Sequence, residues 1–255
     1  MNERFARIER MIGTAGLERL ARSYVTVIGL GAVGSYAVEG LARAGVGRLR
    51  LVDFDKVHPS NINRQLYALE STLGQAKCDL AAQRVSLINP ACRTEPKNIF
   101  VHRETLDEIL AETPDLVIDA IDSFNPKVEL LSALQLRKIP VISSMGAALR
   151  TDPTCIRVGP LSGVHHCPLA AKVRKKLRQA EIPTNFPCVY SIEPVENLPE
   201  GVIGPEEPEP STDLERGRVR RPLGSLPTLT GIFGLTAANA AIRILLKDLF
   251  PTERK

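Results

Sequence analysis

Two stretches decide how this chain reads: residues 25–34, Val-Thr-Val-Ile-Gly-Leu-Gly-Ala-Val-Gly, and residues 49–65, Leu-Arg-Leu-Val-Asp-Phe-Asp-Lys-Val-His-Pro-Ser-Asn-Ile-Asn-Arg-Gln. The first is an apolar, β-branched run followed by Gly29, Gly31 and Gly34 at GxGxxG spacing. It predicts a strand over Val25–Ile28, a tight loop, and a helix from about Ala32 to Ala44. Glycines let backbone approach a phosphate closely, and the helix start supplies free N–H groups and positive potential. With a strand before it and a helix after it, the loop reads as a nucleotide site rather than a plain turn.

The second stretch supplies the partners. Asp53 falls at the end of a strand over Arg48–Val52, 19 residues after Gly34, where an acid can accept hydrogen bonds from ribose hydroxyls. Asp55 fits either the same work or a loop cap. Asn61, Arg64 and Gln65 follow. Arg64 is a planar, fixed charge able to grip phosphate oxygens at two points, and Asn61 adds amide donors. Gly74-Gln-Ala-Lys77 then opens a helix, and Lys77 can meet a phosphate as a point charge. Each cation alone reads as a solvated surface charge; in this order and spacing they read as a triphosphate clamp. A nicotinamide enzyme explains the glycines and has no use for Arg64 and Lys77, so the nucleotide is read as ATP.

Working outward, residues 3–22 have helical spacing, with Phe5, Ile8, Ile12, Leu17 and Leu20 on one side. A helix over 75–88 stops at Asn89-Pro90. Leu116–Ala120 is a third apolar strand, followed by a helix from Pro126 to Lys138 and a strand over Pro140–Ser144. This alternation predicts an α/β fold with a mostly parallel sheet flanked by helices. Val117-Ile-Asp-Ala-Ile-Asp-Ser sets Asp119 and Asp122 at the carboxyl end of the third strand, the edge where open parallel sheets bind ligands. Magnesium usually takes one or two carboxylates plus phosphates. Asp122 is the expected metal contact and Asp119 the structural one.

Beyond residue 150 the pattern changes. Ile156–Val158 reads as a short strand and Pro168–Gln179 as a basic helix carrying Lys172, Arg174, Lys175, Lys176 and Arg178. Residues 199–222 are rich in Pro, Glu and Arg, and predict a mobile loop. The apolar segment Leu226–Leu246 reads as a core helix rather than a membrane span, although its length fits both.

Composition sets the bounds. The chain has 255 residues, 44% of them apolar, and a formal charge of +4, enough for one large α/β domain with a basic surface compatible with RNA. Cys78, Cys92, Cys155, Cys167 and Cys188 form no CxxC pair, which argues against a zinc ribbon. An odd cysteine count and a charged N-terminal segment suggest the cytoplasm.

Together GLGAVG, LVDFD, SNINRQ, GQAKCD and DAIDS resemble the adenylating fold of the ubiquitin-activating enzymes and their bacterial relatives ThiF, MoeB and HesA, a Rossmann-like E1/ThiF-type fold. In that family the matching aspartate, Asp53 here, holds ribose, the residues matching Arg64 and Lys77 hold phosphates, and the one matching Asp122 binds Mg2+. The reaction is attack of a carboxylate on the α-phosphate of ATP. Residues 167–178, Cys188-Val-Tyr-Ser-Ile-Glu-Pro and Asn89-Pro-Ala-Cys are similar to one branch, the tRNA threonylcarbamoyladenosine dehydratases. That likeness implies one adenylating domain over 1–255. Its nucleotide core spans about 20–150, a substrate-side segment about 151–225, and a closing helix about 227–247. It implies ATP and Mg2+, tRNA carrying threonylcarbamoyladenosine at position 37, a homodimer, and a sulfurtransferase-system partner. It implies Arg64, Lys77 and Asp122 as the catalytic set, and Arg7 or Arg10 as an arginine given to a partner subunit's phosphates. The basic helix, with Arg216, Arg218, Arg220 and Arg221, becomes the expected tRNA contact, against the alternative of a solvated helix face.

Some branch members carry a cysteine shortly before the last helix; residues 216–230 here hold none. Cys188 is the remaining candidate for a functional thiol, with a buried structural role as the alternative. The rival functions are adenylation of the C-terminus of a sulfur-carrier or ubiquitin-like protein, a nicotinamide oxidoreductase, and a non-catalytic tRNA-binding scaffold.

Overall fold

The computed structural model describes residues 3–195 and 223–249. The first strand, β1 (Tyr24–Ile28), lies at the centre of a sheet. Beside it run β2 (Arg48–Val52) and β3 (Arg93–Lys97) on one side. On the other run β4 (Leu116–Asp119), β5 (Val141–Ser144), β7 (Pro187–Ser191) and β6 (Ile156–Pro160). The order is β3-β2-β1-β4-β5-β7-β6. All neighbours are parallel except β6 and β7. The α/β reading and the mostly parallel sheet are therefore as expected.

Side-chain alternation divides the core. Val25 and Val27 of β1, Leu49 and Leu51 of β2, and Leu116 and Ile118 of β4 point to one face, where they meet α2 (Gly34–Ala44), α3 (Lys77–Ile88) and α7 (Pro227–Leu245). Ile28, Val52, Val117 and Val141 point to the other, where they meet α4 (Leu106–Ile109), α5 (Phe124–Leu136) and α6 (Pro168–Gln179). Both faces are covered, which is why these strands read as continuous apolar runs rather than as alternating ones.

Several expectations need correction. The N-terminal helix, α1 (Ala6–Arg22), is interrupted at Gly13, whose φ is +73°. The α5 helix starts at Phe124, two residues ahead of Pro126, because proline is tolerated in a first helical turn. It ends before Lys138, whose φ is +56°. Strand β3 was not expected, since Arg-Thr-Glu-Pro-Lys is polar. It forms at the sheet edge, where Glu95 receives Arg48 Nε at 2.7 Å and Arg50 Nη2 at 2.9 Å. Strand β7 was also not expected; it inserts between β5 and β6, so the later segment builds the same sheet as the nucleotide half. The expected mobile loop at 199–222, and the four arginines within it, lie outside the described residues.

The apolar helix α7 is long and apolar enough to cross a membrane by length and composition. Here it packs on α2 and against β4, β5 and β7, with Phe233, Ala237 and Ala241 fully buried. It is a core helix, as expected.

One charged pair lies inside this core. Lys127 Nζ of α5 donates to Asp119 Oδ2 at 2.6 Å, and neither side chain is exposed. Ser143 Oγ donates to the same oxygen at 2.6 Å, and Ile121 N donates to Oδ1 at 3.1 Å. Removing one partner of such a pair leaves an uncompensated buried charge. Lys127→Ala is expected to lower unfolding stability by about 3–5 kcal/mol in urea titrations. The double variant Lys127→Met/Asp119→Asn is expected to recover part of that loss.

Candidate active site

The site is built where three strands end together. Gly29 N donates to Val52 O at 2.9 Å and Ala120 N donates to Ile28 O at 2.8 Å, so the glycine loop leaves β1 stitched between the ends of β2 and β4. Strand order reverses at this point, β1 leading on one side to β2 and on the other to β4, and this is where open α/β sheets take ligands. Gly29 has φ +86°, and a Cβ there would lie 2.8 Å from Ala120 O. A Cβ on Gly34 would lie 1.7 Å from Gly29 O. The loop is thus folded onto itself at the start of α2 and admits no side chain at either position.

Asp53 closes the cradle. It is buried, with Oδ2 accepting from Leu30 N at 2.6 Å and Oδ1 from Asp55 N at 2.8 Å. Burial raises its pKa; the nearby Lys77 charge opposes that rise, and the Asp55 charge adds to it. Lys77 is itself buried, and its Nζ donates to Asp55 Oδ2 at 2.9 Å. Asp55 therefore has a role beyond the two expected of it: it is the counter-ion of Lys77.

The segment bearing Asn61, Arg64 and Gln65 is docked against the loop. Leu66 N donates to Ser35 Oγ at 3.3 Å, and Tyr67 Oη donates to Ser35 O at 3.0 Å. Gln65 Nε2 lies 3.6 Å from where a Gly31 Cβ would stand. Asn61 is buried and caps its own turn, its Oδ1 accepting from His58 N at 3.1 Å. Arg64 is half-buried; its Nη1 donates to Ser60 O at 2.7 Å and Asn63 Oδ1 at 3.0 Å. Ser35 and Lys127 are positioning residues that sequence reasoning missed. Ser35 follows the last glycine directly, and Lys127 is a charge on an apolar helix; both were visible signals.

Asp122 lies exposed just past β4, with Ser123 Oγ donating to its Oδ1 at 3.3 Å. Among the described residues no cluster of three or more His, Cys, Asp or Glu is suited to a metal; an ion held by one carboxylate and by phosphates needs none.

On α6, Lys172, Lys175, Lys176 and Arg178 are exposed; Lys175 and Arg178, with Arg174, line a shallow surface groove of about 460 Å³. Arg174 differs from its neighbours. It is half-buried, and its Nη1 donates to Val164 O at 2.6 Å and Leu161 O at 3.1 Å, pinning the turn before the helix.

The thiols carry no sign of activation. Burial pushes Cys188 well above the ordinary thiol range, and Cys78 and Cys92 up to about 11 each. Cys167 is buried at the start of α6, its Sγ accepting from Ala170 N. Cys155 is half-exposed, its hydrogen bond to Asp152 raising its pKa. Native protein treated with iodoacetamide is expected to label Cys155 first by peptide mapping, with Cys188 protected until unfolding.

The family model described as "ThiF family" matches residues 4–254. A tRNA threonylcarbamoyladenosine dehydratase from Bacillus subtilis is 39% identical over 252 residues, covering 98% of this chain and 97% of the relative. The solved Escherichia coli tRNA N6-threonylcarbamoyladenosine dehydratase, TcdA, in complex with ATP is 32% identical. It superposes with a TM-score of 0.83 over 96% of this chain and 95% of that one. The E. coli molybdopterin-synthase adenylyltransferase is 38% identical over only 137 residues, 54% of each chain.

Proposed function

The chain belongs to the ThiF family, and on that premise we propose that it dehydrates N6-threonylcarbamoyladenosine in tRNA with ATP, through adenylation of the threonyl carboxylate. The observation that carries this reading is the strength of the likeness over the whole chain. Identity to a tRNA threonylcarbamoyladenosine dehydratase is 39% over 98% of this chain and 97% of that relative. An adenylyltransferase and sulfurtransferase from Drosophila willistoni reaches 28% over 97% of this chain and only 47% of its own length, and a molybdopterin-synthase adenylyltransferase 38% over 54%. The second half, with its basic helix α6, is where a substrate choice between tRNA and a small protein would be made.

The site suits ATP. The folded glycine loop leads straight into α2, and the free backbone N–H groups and positive potential at that helix N-terminus suit a phosphate. Asp53 spends two of its roughly four acceptor positions on Leu30 and Asp55, leaving capacity for ribose hydroxyls. Arg64 and Lys77 are the phosphate partners in this reading. Asp122, exposed beside the loop, fits a single-carboxylate Mg2+ contact, and a bound magnesium ion would supply neutralisation of phosphate charge.

In the first step a carboxylate oxygen of the modification bonds to the α-phosphorus and pyrophosphate leaves. In the second, a nucleophile within the modification attacks the activated carbonyl and closes the ring. AMP departs with the former carboxylate oxygen, and the net change is loss of water. Both ends of the second step lie in one molecule, so effective concentration is high and no protein nucleophile is required. That agrees with the buried state of Cys188. A homodimer, with exposed Arg7 or Arg10 of α1 reaching toward the second subunit's site, a sulfurtransferase-system partner, and a cytoplasmic setting complete the proposal.

Mass spectrometry of tRNA nucleosides after incubation with ATP and magnesium tests the reading. Conversion to the cyclic, dehydrated form is expected; retention of the open form overturns it. So does ATP–pyrophosphate exchange that responds to a Gly-Gly-ended protein and not to modified tRNA. Arg64→Ala and Asp122→Asn are each expected to lower turnover on the order of 10²-fold while leaving thermal unfolding unchanged.

A further inference from the structure

We infer that His165 and His166 form the platform on which an unpaired base of the tRNA loop stacks while α6 tracks the adjoining phosphates. This rests on the proposed tRNA substrate and adds where the RNA is read. The two imidazoles are exposed at the N-terminal end of α6, with ring centroids 5.1 Å apart and planes 74° apart. They line a cleft of about 340 Å³ together with Arg174, Pro194 and Val195.

The platform is held rigidly. His165 Nδ1 lies within hydrogen-bond distance of Gly163 O, at 3.1 Å. The His165 ring also packs edge-on against Tyr190 of β7 at 6.3 Å. His166 has φ +55°, and its carbonyl accepts from Nη2 of the buried Arg150 at 2.5 Å. The Nη1 of the same guanidinium donates to Glu193 O, next to Pro194 on the opposite wall. One buried arginine thus holds both sides of the cleft, and Arg174 pins the turn beneath.

Position and charge select the occupant. Gly146, just past the carboxyl end of β5, lies within 3.5 Å of Cys167 Sγ when given a Cβ. The imidazoles therefore stand on the same sheet edge as the glycine loop, Asp53 and Asp122. The cleft shares Ala171 and Arg174 with the groove lined by Lys175 and Arg178. A π-faced pocket joined to a cationic track fits single-stranded RNA, whose splayed bases stack on aromatic rings while basic side chains follow the phosphates.

The test uses full-length protein and a fluorescent anticodon stem-loop RNA bearing threonylcarbamoyladenosine. His165→Ala/His166→Asn keeps a residue tolerant of left-handed backbone at 166. It is expected to weaken RNA binding about tenfold, with the salt slope and the KM for ATP unchanged. His165→Phe, which keeps a ring, is expected to bind within twofold of the parent. Lys175→Ala/Arg178→Ala is expected to weaken binding with a salt slope flatter by about one or more. Replacing loop nucleotides singly by abasic sites is expected to find one that weakens the parent and not the histidine variant. Binding by His165→Ala/His166→Asn within twofold of the parent overturns the inference, as does an abasic scan in which every site weakens both proteins equally. A parent that binds the RNA and forms the cyclic product, yet shows either result, refutes the platform alone. A parent that forms no product refutes the function on which it rests.

Discussion

The Asp53 carboxylate is the constraint around which the site is assembled. It stands at the end of β2 and takes the backbone hydrogen of Leu30 from inside the glycine loop. That bond joins two neighbouring strands at the level of their ligand. A buried carboxylate is costly unless it is hydrogen-bonded and faced by a cation. The Leu30 and Asp55 amides supply the bonds and Lys77 supplies the charge. The same geometry that makes Asp53 tolerable therefore fixes the loop, the start of the next segment, and the buried lysine of α3.

The two cations of the site are held in different ways. Lys77 rests on a carboxylate, so its charge is already balanced within the chain. Arg64 rests on a carbonyl and an amide oxygen, which satisfy its hydrogens without cancelling its charge. A fully buried pair, Lys127 with Asp119, lies two strands away at the end of β4 and, with Ser143 and the Ile121 amide, keeps that end in place.

What the sequence made legible follows from what each residue spends its energy on. Strands β1 and β2 were readable because their apolar pattern is their structural role, and α6 because a run of helix-forming basic residues follows Pro168. The glycine loop and the place of Asp53 at a strand end were readable because their chemistry is unusual for their positions. Strand β3 was not, because a polar edge strand is held by ion pairs from Arg48 and Arg50 that no periodicity announces. Strand β7 was hidden by its place after a helix and between two strands from earlier in the chain. The Asp55–Lys77 pair was missed for a further reason: Lys77 read as a phosphate contact and Asp55 as either a ribose contact or a loop cap, and neither reading looked for a partner within the chain. Arg174 and Arg150 look like surface cations in sequence and prove to be staples of backbone carbonyls.

Helix α7 comes after every element it covers. It lies on α2, the helix that begins in the glycine loop, and a Cβ at its Gly234 would stand 2.2 Å from Val33 O. During synthesis, strands β4, β5 and β7 emerge with the apolar face that α7 covers still bare, and it stays so until residues 227–245 clear the ribosome. At about 5–20 residues per second this is a wait of many seconds. The nascent chain must carry an exposed sheet through that interval, so the glycine loop gains its final support only once residues 227–245 are made, rather than when its own residues appear.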